Sequence, residues 1–96
     1  EQLTIATRLG PKFPDLRYRL ARLMLEAGQT LEAREELELV VRTRPNFLDA
    51  LALLGLARYL SGDALGAEEV WRDCLTRRPE DARVEAYLAM LSRGAR

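Results

Sequence analysis

Histidine is absent from this 96-residue chain, and cysteine occurs once, at Cys74. The first absence removes imidazole acid–base catalysis and His-ligated metal sites. The second removes any intrachain disulfide and, with the first, any Cys/His nucleophile pair. No apolar run approaches the roughly 20 residues a membrane-spanning helix needs, because Arg, Glu or Asp interrupts every stretch. Charge of one sign is missing too. Fifteen Lys+Arg balance fifteen Asp+Glu, so no net field draws the chain to nucleic acid or to an anionic membrane. The six glycines are scattered, which leaves no phosphate-cradling loop. Val, Ile and Thr are sparse, and no segment reads as a strand. The expectation is a chain that is not an enzyme and carries no cofactor and no metal.

What is present points one way. The apolar share is 48% and the charged share 31%, a globular rather than disordered balance, and the length suits one small core. Leu supplies 19 residues and Ala 13, both strong helix formers. The chain starts at Glu1 without Met and without a basic-then-apolar leader, so the expectation is a fragment or processed segment. The unpaired Cys74 fits a reducing interior such as the cytoplasm without deciding between cytoplasm and periplasm.

Prolines at Pro11, Pro45 and Pro79 are spaced by 34 residues each time. Aligning residues 11–44 on 45–78 without a gap gives nine identities, among them Leu20/Leu54, Gly28/Gly62, Leu31/Leu65 and Ala33/Ala67. Such periodicity is the mark of a repeat architecture. In the first unit Asp15 suits an N-terminal helical turn, and Leu16, Leu20, Leu23 and Met24 follow at helical spacing. Gly28 ends that helix, a second carries Leu31, Leu37, Val40 and Val41, and Pro45 stops it. The second unit repeats the order. Asp49, Leu51, Leu54 and Tyr59 lead to Gly62-Asp63; then Leu65, Val70, Trp71, Cys74 and Leu75 run to Pro79. Ala33 and Ala67 sit where two antiparallel helices must approach closely.

Helical hairpins of 34 residues with Leu51, Leu54-Gly55, Ala67, Trp71 and Pro79 in these slots resemble tetratricopeptide repeats, and Leu20-Ala21, Met24, Ala33, Leu37 and Pro45 follow suit. Arg17 departs from the pattern at its large-residue slot and Arg58 at its aromatic slot. The resemblance implies an all-α fold in which antiparallel hairpins stack as a right-handed solenoid. It divides the chain into residues 1–13 (second helix of a truncated preceding repeat), 14–47, 48–81, and a capping helix at 82–96. Val84, Leu88 and Leu91 would pack that last helix backward, leaving Glu85, Ala89 and Ser92 outward.

The resemblance also implies a binding scaffold whose first helices line a concave groove for a protein or peptide. Carried over by register, Asp15, Tyr18, Arg19, Arg22, Leu25 and Glu26 line one end, and Asp49, Ala52, Leu53, Leu56, Tyr59 and Leu60 the middle. Arg83, Ala86, Tyr87 and Met90 complete it. An Arg-rich end beside an apolar middle suits a peptide with an aliphatic or aromatic anchor and an acidic flank. The Lys/Asn clamp with which some relatives hold chaperone tails lacks its Asn here, where the slots hold Tyr18, Arg22, Leu53, Arg83 and Tyr87. The alternatives are self-assembly through the face bearing Leu3, Ala6 and Leu9, which would make a homo-oligomer, or an accessory role in a larger enzyme. Cys74 and Trp71 read as buried packing residues. Glu35, Glu36, Glu38 and Glu68 read, with Arg42 and Arg72, as solvated charges on the outer face.

Overall fold

The computed structural model describes residues 14–94, through which five helices follow one another: α1 (Pro14–Glu26), α2 (Thr30–Thr43), α3 (Leu48–Leu60), α4 (Ala64–Arg77) and α5 (Ala82–Gly94). No strand occurs among the described residues. The expected helix over residues 1–13, and with it the face of Leu3, Ala6 and Leu9, lies outside them.

Sequence sets the helix ends. Gly28 and Gly62 adopt φ of 84° and 96°, left-handed values that cost a side-chain-bearing residue about 1 kcal/mol. In each turn two backbone donors fold back on the last helical carbonyls: Gly28 N to Leu25 O and Gln29 N to Met24 O, then Gly62 N to Tyr59 O and Asp63 N to Arg58 O. This paired closure satisfies carbonyls that would otherwise be orphaned. Asp63 then caps α4 by accepting from Gly66 N at 2.9 Å. The other two stops are proline effects. Arg44 and Arg78, each preceding a proline, leave the helical region with φ/ψ of −133°/85° and −140°/81°, as steric conflict with the proline ring requires.

Each helix packs on the next in sequence, and α1 also touches α3. Arg83 at the start of α5 pairs with Asp49 at the start of α3. The odd-numbered helices therefore form one layer and α2 and α4 the other. Ala21, Ala33, Ala50, Ala57 and Ala67 are fully buried, and their small side chains let neighbouring helices approach. Trp71 is the largest fully buried side chain. Its indole N–H donates to the carbonyl of Ala52 at 3.0 Å, and a methyl group on Gly55 would overlap its ring.

Three readings of the sequence are corrected by burial. Glu36 is not on the solvated outer face: it is buried and pairs with buried Arg17, which fills the large-residue slot of α1. The i,i+3/i+4 pattern of charges around Glu36 hid this, because the partner lies on another helix. Leu31 and Leu65, expected on the apolar faces of α2 and α4, are 57% and 79% exposed. They hold equivalent slots two residues before buried Ala33 and Ala67, about 200° around the helix, and so face away from the partner helix.

Gly28→Ala and Gly62→Ala are each expected to lower stability by about 1 kcal/mol, read as a reduced urea midpoint with unchanged slope. Arg17→Met should cost about 3 kcal/mol by stranding the Glu36 carboxylate. Adding Glu36→Leu to Arg17→Met should recover most of that loss in the same titration.

Candidate functional site

Three stripes define the layer of odd-numbered helices. Tyr18, Arg22 and Leu25 fall four and three residues apart on α1, as do Ala52, Leu56 and Tyr59 on α3 and Arg83, Tyr87 and Met90 on α5. That spacing keeps each trio on one side of its helix. Tyr18, Leu25, Leu56, Tyr59, Tyr87 and Met90 are half-buried and pack against the core. Leu60 is 53% exposed. Arg22 is exposed along the α1 stripe, and Arg19 is exposed about 100° around the helix from Tyr18.

Ala52 is the exception, at 1% exposed. Its side chain lies beneath the layer rather than on it, so it does not line a groove. Small size at this position is used by α4, whose Trp71 reaches over to bond the Ala52 carbonyl. Nothing in the sequence separates an alanine that opens a groove from one that admits a tryptophan; the neighbouring Gly55 was the available hint.

Aromatic contacts organise the rest. Tyr87 stacks on Trp71 with ring centroids 4.8 Å apart, and Tyr59 tilts against the same indole at 6.4 Å. These two tyrosines therefore cover Trp71 and show only part of their surface outward. On α1 Tyr18 packs on Phe47 at 5.0 Å. The Arg22 guanidinium stands 5.9 Å from the Tyr18 centroid, and that of Arg44 stands 5.1 Å from Phe47.

The two aspartates at the first turns of α1 and α3 are engaged. Asp15 accepts from Arg44 at 3.2 Å. Asp49 takes Arg83 at 3.1 Å and Arg78 at 3.6 Å. The Asp15–Arg44 and Asp49–Arg78 pairs share one spacing, so each hairpin ties its first turn to the arginine before its proline. Arg83 also lies 3.7 Å from Asp81. Burial by itself disfavours its charge, but the hydrogen bond to Asp49 and the fields of Asp81 and Asp49 outweigh this and raise its pKa. Arg83 is thus a strut between α5 and α3 rather than an available cation.

Outside this layer a depression of about 790 Å³ opens between Arg34 and Glu38 of α2, Arg58 of α3, and Leu65, Glu68 and Arg72 of α4. Its charges already answer one another: Glu38 lies 3.7 Å from Arg58 and 3.9 Å from Arg34, and Glu68 lies 2.6 Å from Arg72. Among the described residues no group of three or more carboxylate or thiol side chains is placed to hold a metal ion, and no helix is long and apolar enough to cross a membrane.

Cys74 is buried. Burial first, then the carboxylates of Asp73 and Asp81, pushes its thiol up from the usual 9.0 to about 11. The neutral thiol is the folded form, so its contribution to stability is complete below pH 9 and is lost as pH rises toward 11. A wild-type melting curve minus that of Cys74→Ala is expected to be flat to pH 9 and to fall above it. Iodoacetamide at pH 8 should label Cys74 slowly in the native protein and rapidly in urea, read by mass spectrometry.

Two comparisons with known proteins agree with this architecture. A family model described as Tetratricopeptide repeat matches residues 3–59, more than half of the chain. A TPR repeat-containing protein of Pseudomonas aeruginosa is 37% identical over 60 residues, covering 62% of this chain and 57% of that protein. The match therefore spans little more than half of that relative's length.

Proposed function

This chain belongs to the tetratricopeptide-repeat family, whose repeats mediate protein–protein interactions, and on that premise we propose that it holds a peptide or partner domain against the layer of α1, α3 and α5. It acts by binding rather than by catalysis. The observation that supports this reading is the row of apolar side chains left half-buried or exposed on that layer: Leu25, Leu56, Tyr59, Leu60, Tyr87 and Met90. A partner that covers them removes from water the apolar surface the fold leaves uncovered.

The anchors divide by what holds them. Tyr59 and Tyr87 already contribute to the fold by flanking Trp71, so truncating either disturbs stability as well as binding. Leu56 and Leu60 are better probes, because Leu60 is largely exposed and Leu56 lies one turn before it. Central apolar anchors are where binding energy concentrates, at about 2 kcal/mol or more each.

Leu56→Ser/Leu60→Ser is expected to lower the melting temperature by several degrees while leaving the chain folded, since Leu56 packs partly on the core, and to lose the proteins that wild type captures from a lysate, identified by mass spectrometry. Equal capture by both would place the binding surface elsewhere.

A further inference from the structure

We propose that Arg22 is the charge-reading position of this groove, and that the peptide it takes carries an Asp or Glu side chain over α1 beside an aliphatic or aromatic anchor over α3. The proposal rests on the groove reading above.

The charges of the layer single out Arg22. Asp15 is held by Arg44, and Asp49 by Arg78 and Arg83. Arg83 is in turn fixed between Asp49 and Asp81. Glu26 follows Arg22 by one helical turn on the same side of α1, yet the two make no ion pair; with the arginine first in sequence, this order is the weaker one for a helical pair. Arg22 is left with a ring beneath it and no carboxylate against it among the described residues. Arg19, the neighbouring cation, has no such ring among the described residues and lies off the stripe.

The seat of Arg22 is built from below. Its guanidinium lies over the Tyr18 ring at 5.9 Å, Tyr18 packs on Phe47, and Arg44, paired with Asp15, lies over Phe47. A long flexible side chain normally loses rotamer freedom when it binds an anion. The Tyr18 ring, 5.9 Å away, favours one placement of this otherwise exposed side chain, and a planar guanidinium matches a carboxylate with two parallel hydrogen bonds. A guanidinium one turn from Glu26 suits a single negative charge and disfavours a phosphate dianion, which calls for several arginines converging on it. Leu25, one turn along α1, and Leu56 on α3 supply the apolar surface beside it.

The test is selection from a displayed library of random peptides on the purified chain, followed by fluorescence anisotropy on synthetic copies of the peptides recovered. Wild type should enrich Asp or Glu next to an aliphatic or aromatic residue. Arg22→Glu should replace that preference with Lys or Arg. Arg22→Gln should weaken an acidic peptide about tenfold, reduce its salt dependence, and leave its Asn/Gln counterpart unchanged. Unchanged acidic enrichment in Arg22→Glu overturns the proposal alone, provided Leu56→Ser/Leu60→Ser still abolishes binding. Peptides that bind the Leu56→Ser/Leu60→Ser variant as well as wild type overturn the groove reading and the proposal with it, as does a selection that recovers nothing. Melting curves for each variant separate loss of binding from loss of fold.

Discussion

The seating of Trp71 is the contact on which the other packing depends. Its indole lies against the backbone of α3 at Ala52 and Gly55, donates its N–H to a carbonyl there, stacks on Tyr87 and meets Tyr59 at a tilt. One side chain from α4 thereby fixes the separation of α3 and α4 and the angle at which α5 joins them. The two small residues it needs cannot enlarge without moving it, since protein cores tolerate added volume poorly. The aromatic rings at the surface of the site are consequently extensions of the core, and their positions are as rigid as the indole beneath them.

The first hairpin solves the same problem with different chemistry. Where the second uses Leu51 and Val70, the first places Arg17 against Glu36 in a buried ion pair, and Leu37 fills the slot equivalent to Trp71. A pair of this kind does little for net stability, because desolvating both charges offsets most of their attraction. It does make the packing of α1 on α2 intolerant of losing either partner. The two hairpins share a backbone geometry and a surface Asp–Arg tie, and differ in what fills them.

Much of the architecture was legible in the sequence because it rests on residues whose backbone effects are local. Gly28 and Gly62 take the left-handed turns, Pro45 and Pro79 end helices two residues early, and Ala33 and Ala67 mark close approach. Each acts within its own stretch of chain. What could not be read depends on the neighbour across the interface. Glu36 among other glutamates looks solvated until Arg17 arrives from α1. Leu65 looks like core until α3 packs on the Ala67 side of α4 and leaves Leu65 on the other. Ala52 looks like groove until Trp71 covers it. The candidate site was legible as a set of stripes, and finding which of its charges are tied in Asp–Arg struts, and that Arg22 has no carboxylate against it among the described residues, required coordinates.

Because each helix rests chiefly on its sequence neighbour, contacts close over short loops and little chain entropy is lost before packing compensates it. Folding can start in whichever hairpin forms first and spread to the next, the kinetics of a one-dimensional array. Chains of such low contact order fold in times on the order of microseconds to milliseconds. Lengthening such an array by a hairpin adds local closures and no distant ones, so its rate of folding need not fall as repeats accumulate.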